Sequence, residues 1–288
     1  TNRQVGDHSF SALADNDEGA ADEQQVTVSV YDLCDPTSGD MLAYWKLEEA
    51  TAEPNTHEDY YGAGSTYNAT CVNCPTQNST DAKVGNGQTF DGINDALDVA
   101  DPGTAVFDWP AGSSFSIEFW MRSGSADIEN SNEVMIGRGL ASAYWWIGLR
   151  GEDDVATPDD DEGKVIFLLQ EADGDVGRII SDAPVNDNAW HHIVAVRDDD
   201  AGKNLLYIDG VLQKEILTQA YDAGFAHDPG TPPGNALNIG YLDLVPGYHF
   251  AGDLDEIALY GEALPQSVIK QHASQNFDRG YCNARPDI

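Results

Sequence analysis

Apolar and polar residues alternate with a period of two along one short segment after another, and this constrains the fold more than any other feature. Phe115-Ser116-Ile117-Glu118-Phe119-Trp120-Met121 shows the pattern, and Gln25-Val26-Thr27-Val28-Ser29-Val30-Tyr31 repeats it near the start. Successive side chains of a strand point to opposite faces, so such a segment buries one face and leaves the other for a different partner. Further strands are expected at 42–47, 134–137, 144–149, 165–170, 176–181, 190–196, 205–208, 211–216, 237–241 and 254–260. Asp209-Gly210 falls between two of them and signals a two-residue hairpin turn. Only Leu264 to Gln275 reads as a helix, with Pro265 in its first turn. Many short strands divided by Gly, Asp and Pro predict an all-β chain, an antiparallel two-sheet jelly-roll sandwich with one short C-terminal helix. The long segments 49–86 and 218–235 are expected to be loops, where such a scaffold carries its function.

The first forty residues read differently. Val5 to Glu23 is polar and acidic with few large apolar residues, as in an extended arm. A strand near 25–33 follows, closed by the turn-forming Asp35-Pro36-Thr37-Ser38-Gly39-Asp40. Residues 1–40 are thus expected to be an N-terminal arm, or the end of a preceding domain, and 41–288 the jelly-roll domain. An isolated strand after a polar arm also suits pairing with another copy of the chain, because strand addition supplies main-chain hydrogen bonds between subunits. The chain opens at Thr1 without a methionine or an apolar leader, as expected of a processed protein or a piece of a longer one.

Charge narrows the partners. Fifty acidic residues against 14 basic ones give a formal net charge of −36. Such a surface repels nucleic acid and anionic lipid, which excludes both as expected partners. No apolar run approaches the roughly 18 residues of a helical membrane span, so no membrane insertion is expected. Dense carboxylates either solvate a protein in salty surroundings or bind hard cations such as Ca2+. Most of the fifty are assigned to solvation, including the run Asp153-Asp154 and Asp159-Asp160-Asp161-Glu162, and a few to calcium.

The four cysteines, Cys34, Cys71, Cys74 and Cys282, allow three pairings. The first and last strands of a sandwich commonly lie side by side, so Cys34–Cys282 and Cys71–Cys74 is the preferred set. Disulfides place the protein in an oxidising setting, secreted or at the cell surface. Asn68-Ala69-Thr70 and Asn78-Ser79-Thr80 satisfy the glycosylation rule, a pattern that also arises by chance.

Several segments, in order, resemble laminin-G-like (concanavalin A-like, pentraxin-like) domains. They are the opening strand Leu42-Ala43-Tyr44-Trp45-Lys46-Leu47, the stretch Phe90-Asp91-Gly92-Ile93-Asn94-Asp95, and the strand Phe115 to Met121. The series continues with Trp190-His191-His192-Ile193-Val194-Ala195-Val196-Arg197, then Leu206-Tyr207-Ile208-Asp209-Gly210, and ends on Phe250-Ala251-Gly252-Asp253-Leu254-Asp255-Glu256-Ile257. The resemblance covers about 41–276. It implies a jelly roll with one concave sheet, acting as a binding module for glycans or cell-surface proteins, with one structural Ca2+ near the closing strand. Carried over by position, the metal ligands would be Asp255 with Asp91 or Asn94, Glu48 and Asp59. The long 49–86 segment departs from the family, and the two-calcium cluster of true pentraxins is absent, since Tyr241 to His249 lacks its run of side-chain oxygens.

Alternation sorts the remaining candidates. Asp255 and Glu256 are adjacent in a strand, so at most one is expected at any single site. Trp145 and Trp146 must likewise face opposite ways, one in the core and one outside. Trp146, sharing a face with Tyr144, is expected either to stack on a ligand or to pack beneath a long loop. His191 and His192 alternate too, and a hydrogen bond at the strand start is the expected role for one of them. The retaining glycoside hydrolases of this fold carry E-x-D-x-x-E on one strand, and no such segment occurs. Asp253 and Asp255, two carboxylates on one strand face, are the nearest approach. No catalytic activity is expected.

Overall fold

The alternating segments form two antiparallel sheets. The computed structural model describes residues 6–15, 21–30, 41–50, 55–61, 67–100, 106–107, 109, 112–124, 132–140, 143–151, 161–170, 176–217, 236–244, 247–274 and 281. In chain order its strands are β1 (Gly6–Asp15), β2 (Ala21–Val30), β3 (Met41–Trp45), β4 (Thr56–His57), β5 (Ala69–Thr70), β6 (Thr76–Asn78), β7 (Gly87–Asp91), β8 (Leu97–Val99) and β9 (Phe115–Arg122). Then come β10 (Glu133–Leu140), β11 (Ala143–Leu149), β12 (Lys164–Gln170), β13 (Val176–Pro184), β14 (His191–Asp198), β15 (Lys203–Ile208), β16 (Val211–Leu217), β17 (Leu237–Ile239) and β18 (Ala251–Tyr260). The helix is α1 (Gln266–Ser274).

The front sheet runs β13-β12-β11-β10-β17-β8-β5-β4, and the back sheet β16-β15-β14-β9-β18-β7-β6 with β3 beside β18. Strand alternation divides the side chains as the sequence predicts. Phe115, Ile117, Phe119 and Met121 of β9 face the inter-sheet core with Trp45, Trp145, Ile147 and Phe167. Each such side chain contributes about 2 kcal/mol by leaving water. The opposite face of the back sheet carries a second apolar layer of Tyr44, Trp120, Val194, Val196, Tyr207 and Tyr260, packed with Leu264 and Ile269 from the helical end of the chain.

The Asp209-Gly210 turn has positive φ at both residues, 50° and 73°, and sets Ile208 opposite Val211. Both residues of a type I′ hairpin turn require that left-handed backbone, which Asp tolerates and Gly favours. Within 49–86, expected to be a loop, lie the short strands β4, β5 and β6. These are polar pieces of two or three residues, and neighbouring edges recruit them: β5 pairs with β8, and β6 with β7. No side-chain pattern announces such strands, since a ladder is made by backbone groups alone.

β2 contains most of the strand signal at 25–33, and β1, from the segment that reads as an arm, pairs with it from Gly6↔Val30 to Asp15↔Ala21. The two form a sheet of their own. Among the described residues, no helix is long and apolar enough to cross a membrane.

Candidate functional site

One edge of β18 receives two strands end to end, β7 along Ala251–Leu254 and β3 along Ile257–Tyr260, while β9 holds the other edge. Asp255 and Glu256 lie at the junction. There the pairing with β9 shifts register between Asp255 and Ala258, and Glu256 has a φ of 53°. Leu254 and Ile257 both enter the inter-sheet core, so the two acids between them lie on the outer side. Asp255 Oδ2 accepts the Val84 N–H at 2.9 Å, and Glu256 accepts the Tyr44 hydroxyl. Val84 and Tyr44 belong to the outer layer. The expectation that strict alternation separates the two carboxylates is therefore corrected. A β-bulge inserts one residue and puts both on one side.

Glu48 completes the group from the other strand end. It follows Leu47, whose φ of 58° turns the chain out of β3. Its Oε2 accepts the backbone N–H and the side-chain amide of Asn86 at 3.0 and 2.9 Å. The 83–87 segment fits tightly between these acids. A Cβ on Gly85 would stand 2.1 Å from Glu48 Oε1, and one on Gly87 would stand 3.5 Å from the Asp255 carboxyl carbon.

Asp255 and Glu256 are 0% exposed. Asp255 Oδ1, Glu256 Oε1 and Glu49 Oε2 are buried with no hydrogen-bond partner among the described residues. Burial first, then the charge of Glu256, pushes Asp255 well above the usual carboxylate range. Burial lifts Glu256 to about 7, against the lowering effects of the Tyr44 hydrogen bond and the Lys46 charge. Unsatisfied buried carboxylate oxygens are costly, and either protonation, which the raised values favour, or a hard cation relieves them. Among the described residues no group of three or more His, Cys, Asp or Glu is placed to hold a metal. Glu48 and Asp255 therefore fit calcium only if backbone carbonyls and water fill its remaining positions, as calcium's oxygen-rich coordination allows.

The other predicted ligands lie elsewhere. Asp91 is at the opposite end of β7 from Gly87, and its Oδ1 accepts the N–H groups of Ile93, Asn94 and Asp95 at 2.8, 3.0 and 3.3 Å. These bonds outweigh its burial and hold its carboxyl below the usual range. Asp91 thus shapes a turn, and Asn94 is an exposed member of it. Asp59 bridges to Trp45, and its Oδ1 accepts the N–H groups of Tyr44 and Tyr61, both at 3.0 Å. It secures β3 and does not join Asp255.

The aromatic candidates divide across the front sheet. Trp145 is in the inter-sheet core, 6.2 Å from the Trp109 ring. Trp146, 5% exposed, faces outward but packs with Val134, Ile166 and Leu242, and with the half-buried Leu244 and Tyr248. Gly137 opposite it leaves room, since a Cβ there would lie 2.7 Å from the Trp146 Cβ and 3.0 Å from Leu242. Of the two places open to Trp146, the structure has it beneath the segment after β17. Tyr144 stays half-buried at the border of that cluster. Cross-strand register continues the face from Trp146 to Leu168 and then to exposed Arg178.

His191 lies between Asp209 and Asp187, at 2.8 and 3.1 Å. His192 is fully buried against Glu118. Glu118 and its other partner, His272, belong to no motif in the sequence. The available signal was a charge at the centre of the apolar strand Phe115 to Met121. Asp253, the other half of the strand-face acid pair, is tied to Arg122 at 2.8 Å, to Asn78 at 3.1 Å and to the Thr89 hydroxyl. Cys71 and Cys74 form a disulfide, whereas Cys34 and Cys282 lie outside the described residues. Of the acidic run at 153–162, only Asp161 and Glu162 are described, and Asp161 pairs with Lys164 at 2.7 Å.

A family model described as the concanavalin A-like lectin/glucanases superfamily matches residues 90–270. No curated protein matches the chain. Among solved structures the fold is similar to the binding domain of Paraclostridial Mosquitocidal Protein 1, with a TM-score of 0.61, 15% identity, and coverage of 87% of this chain and 56% of that one. It is similar to the binding domain of botulinum neurotoxin DC in complex with rat synaptotagmin II, with a TM-score of 0.55, 15% identity, and coverage of 80% and 50%. It is also similar to domain 4 of AbnA, a GH43 extracellular arabinanase from Geobacillus stearothermophilus, in complex with arabinotriose, with a TM-score of 0.53, 16% identity, and coverage of 82% and 98%. The matches span about half of the two toxin domains and nearly all of the arabinanase domain.

Proposed function

The chain belongs to the concanavalin A-like lectin/glucanases superfamily, and from that membership we propose that it is a non-catalytic recognition module, secreted or at the cell surface, for a glycan or a surface protein. The observation that carries this reading is the state of the strand carboxylates. Asp253 is locked to Arg122, and Asp255 is capped by the 83–87 segment, so neither is presented to a substrate. Fold neighbours that bind arabinotriose or synaptotagmin II support the choice of partner class. The outer face of the front sheet, with Tyr144, Leu168 and Arg178 bordering Trp146, is the surface proposed to meet the ligand. Tyrosine offers a flat apolar body with a polar tip, which suits a sugar ring or a partner side chain.

Glu48 and Asp255 are proposed to hold Ca2+ together with backbone carbonyls. The ion would neutralise the buried acids and fix the ends of β3 and β7 against β18. A glycan array probed first with calcium and then with chelator tests both halves of the reading. Binding to a defined glycan that vanishes with chelator supports a calcium-dependent lectin or adhesin. Binding that survives chelator keeps recognition and removes the calcium dependence. No binding in either condition moves the weight to a second reading.

That second reading rests on the β1–β2 hairpin. Two ten-residue strands pair with each other in a sheet of their own. A lone hairpin is marginal in water, and its outer edges can accept another strand. On this reading the chain is a structural subunit of an extracellular filament or surface layer, assembled through residues 1–40. Sedimentation of the full chain and of a variant lacking 1–40 decides it, and unchanged self-association removes the idea.

A further inference from the structure

The cross-strand row that carries Arg178, Leu168 and Trp146 does not stop at Gly137. Register continues it to Asn238 of β17, Asp98 of β8 and Thr70 of β5. Their chain neighbours Leu237, Ile239, Leu97, Val99 and Ala69 enter the inter-sheet core, so the three polar residues lie on the outer face of the front sheet. Asn238 is buried there, Asp98 is half-buried and Thr70 is exposed. Asp98 is three strand spacings from Trp146, about 14 Å, which separates it from the surface bordering that indole.

Asp98 is held through one of its two oxygens. Its Oδ1 accepts the Asn238 side-chain amide at 2.9 Å and the Tyr241 hydroxyl. The same amide donates to the Tyr241 oxygen at 3.1 Å, and Asn238 Oδ1 accepts the Asp243 N–H at 3.0 Å. Burial, then the bond to Asp98, raises Tyr241 well above its usual range, so the hydroxyl keeps the proton it donates. The Tyr241 ring stacks on His249, with 5.6 Å between centres and 9° between planes. His249 Nδ1 lies 3.3 Å from the Asp95 carbonyl oxygen, and Thr70 Oγ1 donates to the Asp98 carbonyl at 3.4 Å. Among the described residues no group bonds Asp98 Oδ2.

Tying β8 to β17 needs Oδ1 alone. Oδ2 is left as a charged acceptor whose direction the Asn238 and Tyr241 bonds fix, so a ligand meets it without the cost of ordering a side chain. We propose that Asp98 Oδ2, with the Tyr241–His249 pair beside it, is a subsite for a sugar ring with free hydroxyls and no negative charge. The subsite rests on the reading of the chain as a glycan-recognition module and gives that module a specificity. A hydroxyl donating to an ionised carboxylate makes a stronger bond than one donating to a neutral oxygen. The flat apolar body of an aromatic ring suits the C–H face of a sugar. Asp98 and Asp243 are the two carboxylates acting on Tyr241, and they disfavour a sulfated or sialylated ring by like charge. The pair belongs to no group of three metal-binding side chains among the described residues.

An array of neutral, amino-, sialylated and sulfated glycans, probed with the full chain, tests this. Wild type is expected to bind neutral or amino glycans. Calorimetric titration with the tightest of them then compares wild type with Asp98→Asn. Asparagine keeps an oxygen for Asn238 and Tyr241 and puts an N–H donor where Oδ2 stood. Its affinity is expected to fall about tenfold or more, the worth of one charged hydrogen bond, with the urea midpoint unchanged. Unchanged affinity in Asp98→Asn overturns the subsite and leaves the recognition module standing, as does wild-type binding confined to sialylated or sulfated glycans. Wild type that binds no glycan overturns the subsite and the glycan reading together. If Asp98→Asn does not fold, Thr70→Lys decides, since it sets a cation beside the carboxylate from an exposed position. Lost affinity there supports the subsite, and unchanged affinity removes it.

Discussion

Replacing Glu133 with Gln should remove a pH dependence of stability that arises at one site. Glu133 opens β10, is 9% exposed, and accepts the Ala251 N–H through Oε2 at 3.1 Å. Burial outweighs that bond and pushes its carboxyl from 4.5 to about 7. Between those values the folded protein binds a proton that the unfolded chain has released, so stability falls as pH rises from 5 to 7. At 1.36 kcal/mol per pH unit, the full effect is about 3 kcal/mol, complete below pH 4.5 and lost above 7. Glutamine keeps an acceptor for Ala251 and cannot ionise. Urea unfolding of wild type and Glu133→Gln at pH 5, 6, 7 and 8 isolates this group, because every other titration is common to both. The variant should match the wild type, or fall slightly below it, at pH 5 and lead by about 3 kcal/mol at pH 8. Curves that stay parallel across the series would refute the argument that burial of Glu133 is uncompensated.

Gly85→Ala places a Cβ 2.1 Å from Glu48 Oε1 on a backbone with φ of 53°. It should abolish the rise in Tm that added calcium is predicted to give, measured by scanning fluorimetry with calcium and with chelator. His57 is buried and neutral, lowered to about 4 by burial, so the unfolded chain takes up its proton first as pH falls below 6.5. His57→Gln should remove up to about 3 kcal/mol of the stability lost between pH 6.5 and 4, read by the same urea series. Trp146→Ala should cost about 3–5 kcal/mol through its cavity. Tyr144→Ala should cost about 1 kcal/mol or less yet abolish array binding, and retained binding would place the recognition surface elsewhere.

Most of the fold is legible because strand alternation is a local signal. Phe115 to Met121, Val165 to Gln170 and the Asp209-Gly210 turn each state their conformation within a few residues, and β9, β12 and the β15–β16 hairpin follow. β4, β5 and β6 were not legible, since nothing in Thr56-His57 or Ala69-Thr70 distinguishes a strand from a loop until an edge lies beside it. The candidate site divides in the same way. The resemblance pointed to Glu48 and Asp255, which the structure brings to the same 83–87 segment, whereas the three N–H groups that Asp91 caps belong to a turn whose shape the sequence does not state.

By itself, the sequence determined the class of fold, the approximate strand boundaries and the sign of the surface charge. Each of these depends on residues within one segment or on a sum over all of them. Tertiary structure alone decided which side chains meet. Glu256 joins Asp255 because of a bulge set by two strands pairing unevenly with β18. Glu118 meets His272 across 154 positions of chain. Such contacts arise where elements distant in sequence close on one another, and the low dielectric of the buried interior then shifts the acids and histidines found there.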